Sequence, residues 1–218
     1  MTNIVSLSGG KDSTAMLLIM IEKKIRIDHI VFFDTGWDFP EMLLHIDKLE
    51  EYIGREIVKL KYKISFDEMF KDYGFASFKL RWCTARKMDT IKVFCNQHKP
   101  FMQWIGYSFD ERKRIKKTID YCYPLVDWKV TEEDALKYCL EKGFDWGGLY
   151  EKYRRVSCWN CPLQSLSDLK ALWMYLPEYW KKLLEMQKRS KYQFRIDYTL
   201  EQLDERFRRE ENHYQLEL

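Results

Sequence analysis

An open, mainly parallel α/β sheet with helices on both faces, followed by a small helical C-terminal part, is the fold that the amino-acid sequence predicts. Three observations carry it. Over the first hundred residues, apolar runs of strand length alternate with longer stretches of helical spacing, the pattern of successive βαβ units. A glycine-rich turn, Ser6-Leu-Ser-Gly-Gly-Lys-Asp-Ser13, joins the first such run to the first helix. Beyond Gly147-Gly148 only helical spacing remains, which sets a boundary near residue 145 between an α/β domain, 1–145, and an extension, 146–218.

Taken in order, Ile4 to Leu7 reads as the first strand and Ser13 to Lys24 as a helix, with Ala15, Leu18 and Ile19 at helical spacing. His29 to Phe33 is apolar throughout, as expected of a strand covered on both faces. Pro40 opens a helix that Gly54 closes, each residue at the end that suits its backbone. Glu56 to Leu60 is the third strand, Thr84 to His98 a helix, and Phe101 to Ile105 a fourth strand stopped by Gly106. Thr131-Glu-Glu-Asp134 is a helix start, with Thr131 as N-cap and acidic residues in the first turn, and the helix ends at Gly143. The extension holds helices over Ser167 to Tyr175, Glu178 to Lys191 behind Pro177, and Thr199 to Glu211; Trp173, Leu176, Trp180 and Leu183 recur at core spacing.

A chain of 218 residues buries about 70 % of the surface its unfolded form exposes, enough for a core without staples. With 46 % hydrophobic and 33 % charged residues it fits neither disorder nor a membrane protein. Its N-terminus lacks the features of a secretory signal, so a cytoplasmic protein without disulfides is expected. Six cysteines are then core, ligands or nucleophiles: Cys95 and Cys139 sit in apolar surroundings, Cys83 and Cys122 stand alone, and Cys158 and Cys161 form a CxxC. The net charge of +3 dictates no polyanionic partner. Three local basic runs, 112–117, 152–155 and 206–209, read as solvated faces, the first two being alternatively contacts to tRNA or DNA phosphates. Self-association into a homo-oligomer stays open.

The turn at residues 8–13 aims backbone N–H groups and a helix N-terminus at one spot, which makes an anion site. It is not the kinase-type phosphate loop: with Gly10-Lys11 as its GK pair, Val5 falls on the first glycine and Asp12 on the hydroxyl residue. Adjacent glycines also exclude the dinucleotide fingerprint.

Ser8-Gly-Gly-Lys-Asp-Ser13 after a first strand resembles the PP-loop of the N-type ATP pyrophosphatase, or adenine nucleotide alpha hydrolase-like, superfamily. Asp34-Thr-Gly36 at the next strand end, followed by Phe39-Pro-Glu41, is similar to the second motif of its PAPS reductase branch, and the similarity runs over about residues 3 to 165. The resemblance implies that Ser8, Gly9, Gly10, Lys11, Asp12 and Ser13 hold the phosphates of ATP or another adenine nucleotide with Mg²⁺, and that Asp34, Thr35, Gly36 and Gly106 line the nucleotide. Lys11, Asp12, Arg86 and Lys87 take the catalytic positions, and Arg81 and Arg112 reach the substrate anion. Tyr107 stands where the family usually has an arginine. By the same resemblance, Cys83, Cys122, Cys158 and Cys161 are the ligands of a 4Fe–4S cluster or a Zn²⁺, with a redox or sulfur-carrying CxxC and buried thiols as the alternatives. The expected activity is cleavage of ATP to AMP and pyrophosphate with adenylation of an acceptor, in one form for sulfur transfer to tRNA or DNA. Sulfonucleotide reduction, whose C-terminal cysteine is not found after Cys161, and a non-catalytic nucleotide-binding module are the alternatives.

Overall fold

A computed structural model describes residues 1–116 and 118–216, with side chains to Asn212. Lys117 of the first basic run and residues 217–218 lie outside the described residues. Five parallel strands form one open sheet in the order β3-β2-β1-β4-β5: β1 (Thr2–Leu7), β2 (His29–Phe33), β3 (Val58–Leu60), β4 (Phe101–Ile105) and β5 (Tyr121–Cys122). β1 is the central strand, pairing Ile4 with His29 on one side and Val5 with Trp104 on the other. Ile4 and Val5 are fully buried, which is why this stretch is apolar on both faces. The strand order reverses between β1 and β4, the switch point outside whose carboxyl ends the binding crevice of an open α/β sheet is expected.

Helix α1 (Lys11–Glu22) starts two residues earlier than expected. Gly10 is its extended N-cap, so Lys11 and Asp12 belong to the first helical turn, where the free N–H groups and the helix dipole favour an acidic side chain. Helix α2 (Pro40–Ile53) ends on left-handed Gly54, as its sequence predicts. Helix α3 (Phe66–Tyr73) was not expected. Its sign was present in the capping box between Ser65 and Glu68. The helices α4 (Trp82–Gln97), α5 (Pro124–Asp127), α6 (Glu132–Glu141), α7 (Leu149–Lys152), α8 (Leu166–Tyr175), α9 (Pro177–Arg189) and α10 (Leu200–Leu216) complete the chain. Thr131 caps α6 reciprocally with Asp134.

One apolar core runs from Ile4 through to Phe207, so the C-terminal helices share it with the sheet. Cys95 and Cys139 are buried in it, and so are Trp180 and Leu183. The indole N–H groups of Trp173 and Trp180 both donate to Asp204 Oδ1, at 2.8 and 3.1 Å, which ties their two helices to α10. Among the described residues no helix is long and apolar enough to cross a membrane.

Candidate functional site

The loop from Ser8 to Gly10 lies at the carboxyl end of β1 and is closed by Ser13. The Ser13 hydroxyl accepts from Ser8 N (3.1 Å), donates to Gly10 O (3.1 Å) and lies 2.9 Å from Ser8 Oγ. Gly9 has φ +83°, a left-handed conformation open to glycine, and a Cβ there would collide with Met42. From β4, Gly106 meets the first turn of α1 so closely that a Cβ would stand 2.7 Å from Ser13 Cα. The two loops that border the crevice are thus in backbone contact through a glycine.

Lys11 is buried, with its Nζ 2.9 Å from Glu132 Oε2 and 3.2 Å from Asp12 Oδ2. Glu132 opens α6, and its backbone N–H donates to Asp110 Oδ2 at 2.8 Å, so Asp110 of the Gly106-to-Arg112 segment fixes the partner of Lys11. Burial pushes Asp12 up to about 6, against the pull of the Lys11 cation and with help from Glu132 and Glu111. Asp12 Oδ1 and Ser108 Oγ are both buried without a hydrogen-bond partner, polar atoms that a bound ligand would satisfy.

The extension reaches this edge. Trp146 Nε1 donates to Gly9 O at 2.7 Å, and Lys11 N donates to the Tyr150 hydroxyl at 2.9 Å, so Tyr150 occupies one of the amides of the α1 N-terminus. Ser108, Glu132, Trp146 and Tyr150 belong to the site although sequence reasoning passed over them. Only Gly147-Gly148 and the α6 cap hinted that these segments turn sharply, and neither says against what.

The second loop, after β2, is folded on itself. Asp34 accepts from Gly36 N at 2.8 Å and pairs with Lys61 at 2.9 Å, and Thr35 Oγ1 donates to Asp38 Oδ2 at 2.6 Å. Cys158 Sγ rests against Thr35 Oγ1 (3.6 Å) and Asp38 Oδ1 (3.8 Å), which brings the CxxC to the same edge as the glycine loop. Burial and the Asp38 carboxylate push the Cys158 thiol well up, and burial also raises the Cys161 thiol.

The four expected sulfur ligands do not assemble. Cys161 feels Cys83, and Cys158 feels Cys161, but Cys122 lies on the edge strand β5, where it lines a cavity with Tyr121 and Tyr123. Among the described residues no three His, Cys, Asp or Glu side chains stand close enough to share a metal ion. The sulfur set therefore does not fit a four-cysteine cluster in this arrangement. Mg²⁺ is different, because it takes one or two protein carboxylates and completes its shell with phosphates and water. Asp12, with an unpartnered oxygen beside the glycine loop, fits that role.

The basic residues are scattered. Lys87 acts on Cys158 and Arg81 on Cys161 through their charge. Arg86 lies over Tyr62 and pairs with Asp89, and Arg112 lies over Phe109 on the exposed turn that follows β4. Arg206, Arg208 and Arg209 pair with Glu210, Asp204 and Glu205 one helical turn away, so this run is a solvated, ion-paired face.

A parallel sheet with a glycine loop at its switch point, a buried lysine and unpartnered polar atoms defines an open α/β fold with a candidate anion site. The chain belongs to the phosphoadenosine phosphosulfate reductase domain family, whose description matches residues 2–164. It is 29 % identical over 195 residues to an uncharacterized protein of Methanocaldococcus jannaschii, covering 82 % of this chain and 40 % of that relative, so the chain spans less than half of its length. Two solved structures are similar in fold. The U34-tRNA thiolase NcsA from Methanococcus maripaludis with its [4Fe-4S] cluster matches with TM-score 0.52 and 16 % identity, over 86 % of this chain and 71 % of that one. A phosphoadenylyl-sulfate reductase from Candida auris matches with TM-score 0.56 and 16 % identity, over 73 % and 82 %.

Proposed function

We propose that the protein binds ATP with Mg²⁺ at the Ser8 to Ser13 loop, splits it to AMP and pyrophosphate, and adenylates an acceptor. The observation that carries this reading is Lys11: a buried cation at the switch point, flanked by loop amides and held by two carboxylates. An acceptor oxygen attacks the α-phosphorus, the bond from that phosphorus to the bridging oxygen breaks, and pyrophosphate leaves with the electron pair. Charge grows on the leaving group, where Lys11 and the N–H groups of Gly9 and Gly10 stabilise it more in the transition state than before. To do so, Lys11 exchanges Glu132 for a phosphate oxygen. Mg²⁺ bound through Asp12 would neutralise phosphate charge.

The CxxC beside Thr35 supports sulfur transfer to the adenylated acceptor, on tRNA or DNA, as the finer form of this activity. The test uses ATP labelled in the α-phosphate, with Mg²⁺ and total RNA. Labelled AMP or adenylated product together with pyrophosphate is expected, and Lys11→Ala abolishes it. Release of ADP and phosphate in its place refutes the reading, and nucleotide binding without any turnover in the presence of tRNA and DNA marks a binding module.

A further inference from the structure

Next to the crevice, on the side away from β2, stands a column of planar groups. Tyr107 follows β4 and Tyr123 follows β5, and their rings are stacked at 5.7 Å with an interplanar angle of 10°. Arg114 covers Tyr107, with its guanidinium carbon 4.5 Å from the ring centre. Tyr121 meets Tyr123 edge-on at 6.5 Å, and the Tyr123 hydroxyl accepts from Lys116 N at 3.1 Å, so the ring is held in place. Beside Tyr123 opens a cavity of about 480 Å³, walled by Tyr121, Cys122, Val126 and Asp127 and by the Ile115 to Lys116 segment. Pockets that take small molecules run to roughly 300–1,000 Å³.

The arrangement combines two kinds of contact. Two charged residues of opposite sign line the cavity, Asp127, whose carboxylate accepts hydrogen bonds, and Lys116. Arg112, Lys113 and Arg114 are exposed on the turn that leads to Lys116, with Arg114 paired to Glu111. An aromatic ring that ends a stack, an acceptor on the wall and a cationic rim suit a flat heterocycle with N–H donors on a phosphate backbone. A free phosphate would find the cations but no use for the column, and a protein segment would not need a parallel stack.

We propose that the cavity beside Tyr123 binds an unpaired base of a single-stranded nucleic acid, stacked on the Tyr107–Tyr123 column, with its backbone along Arg112, Lys113, Arg114 and Lys116. β5 lies two strand spacings from β1, about 10 Å across the sheet. That the base is the acceptor of the adenylyl group rests on the proposed reaction; that it binds does not.

Binding is read by fluorescence anisotropy with labelled ribo- and deoxyribo-oligomers of one sequence, the tighter arm naming the source of the base. Tyr123→Ala weakens binding by about tenfold, the effect of removing one stacking ring, while Tyr123→Phe stays within about twofold of wild type. Lys113→Ala and Lys116→Ala each lower the slope of log affinity against log salt by about 0.7. ATP affinity is unchanged in all four. On the wild-type protein, a 4-thiopyrimidine oligomer cross-links under ultraviolet light to Tyr123 or its neighbours. No binding in either arm at low salt, an unaffected Tyr123→Ala, or cross-links confined elsewhere would overturn the site, while pyrophosphate release from ATP is scored separately and keeps or loses the reaction on its own.

Discussion

Lys11 Nζ lies 2.9 Å from Glu132 Oε2, a contact that spans from the first turn of α1 to the first turn of α6 and occupies the cation that the phosphate loop would offer to a ligand. Lys11 is buried whereas the Glu132 side chain is 41 % exposed, so the carboxylate is the partner able to leave. The ligand-free site is thereby neutralised by the protein itself, and an incoming polyphosphate competes with Glu132. Removing that negative charge should favour the anion: Glu132→Gln binds inorganic pyrophosphate roughly threefold to tenfold more tightly in calorimetry, the gain of an ion pair partly screened by water. Equal or weaker binding would show that Glu132 aligns Lys11 and does not compete.

The approach of Gly106 to α1 makes a stability prediction. An added methyl meets the backbone of Ser13 and not a flexible side-chain tip, so it cannot be absorbed by a rotamer change. Gly106→Ala should cost about 1–3 kcal/mol in urea unfolding and reduce the thermal shift given by ATP, because the crevice walls are forced apart. A variant as stable as wild type with an undiminished shift would mean the loops are further apart in solution.

Two buried groups give opposite pH dependences. Asp12 is raised from 3.8 to about 6, so between these values the folded protein holds a proton that the unfolded chain has released; this contribution is full below pH 3.8 and lost as pH rises through 6. His45, whose Nε2 is 3.0 Å from Thr14 Oγ1, is lowered by burial and by the Lys48 cation from 6.5 to about 4, so its contribution is full above 6.5 and lost as pH falls through 4. Each amounts to about 3 kcal/mol from the sizes of the shifts, and over pH 4 to 6.5 they nearly cancel. Asp12→Asn removes one side: its stability should fall on acidification in that window by about 3 kcal/mol more than that of wild type, measured by urea unfolding at several pH values. Parallel curves for the two proteins would refute the assignment.

The placement of Cys122 makes a prediction about metal. If the chain is loaded anaerobically with iron and sulfide, or with zinc, any metal taken up is held without Cys122, so Cys122→Ser should bind as much as wild type by elemental analysis. Cys158→Ser and Cys161→Ser should lower the content. A loss with Cys122→Ser equal to that with Cys158→Ser would show that β5 and the CxxC meet in the loaded protein.

Much of the fold was legible because its signals are local. The runs from Ile4 to Leu7, His29 to Phe33 and Phe101 to Ile105 are predominantly apolar, broken only by Ser6, His29 and Gln103, as suits strands covered on both faces, and Pro40, Gly54 and Thr131 mark helix ends through their own backbones. The edge strand β5 is too short at two residues to carry a period, and α3 is marked in the sequence only by its capping box. In the glycine loop, residue order alone pointed to a phosphate site, since Ser8 to Ser13 are adjacent in the chain and close their own turn.

What the residue order could not contain is how distant segments meet. Glu132 stands 121 positions from Lys11 and Tyr150 stands 139 from it, and no spacing rule links them. The same holds for the cysteines: the CxxC was visible as a pair, but only the packing of the extension against the Thr35 loop placed it at the site, and only the position of β5 kept Cys122 away. Local chemistry is written in neighbouring residues, whereas the partners of a buried charge are chosen by how the helices pack on the sheet. That packing minimises unpaired polar groups over the whole chain, and no short stretch encodes it.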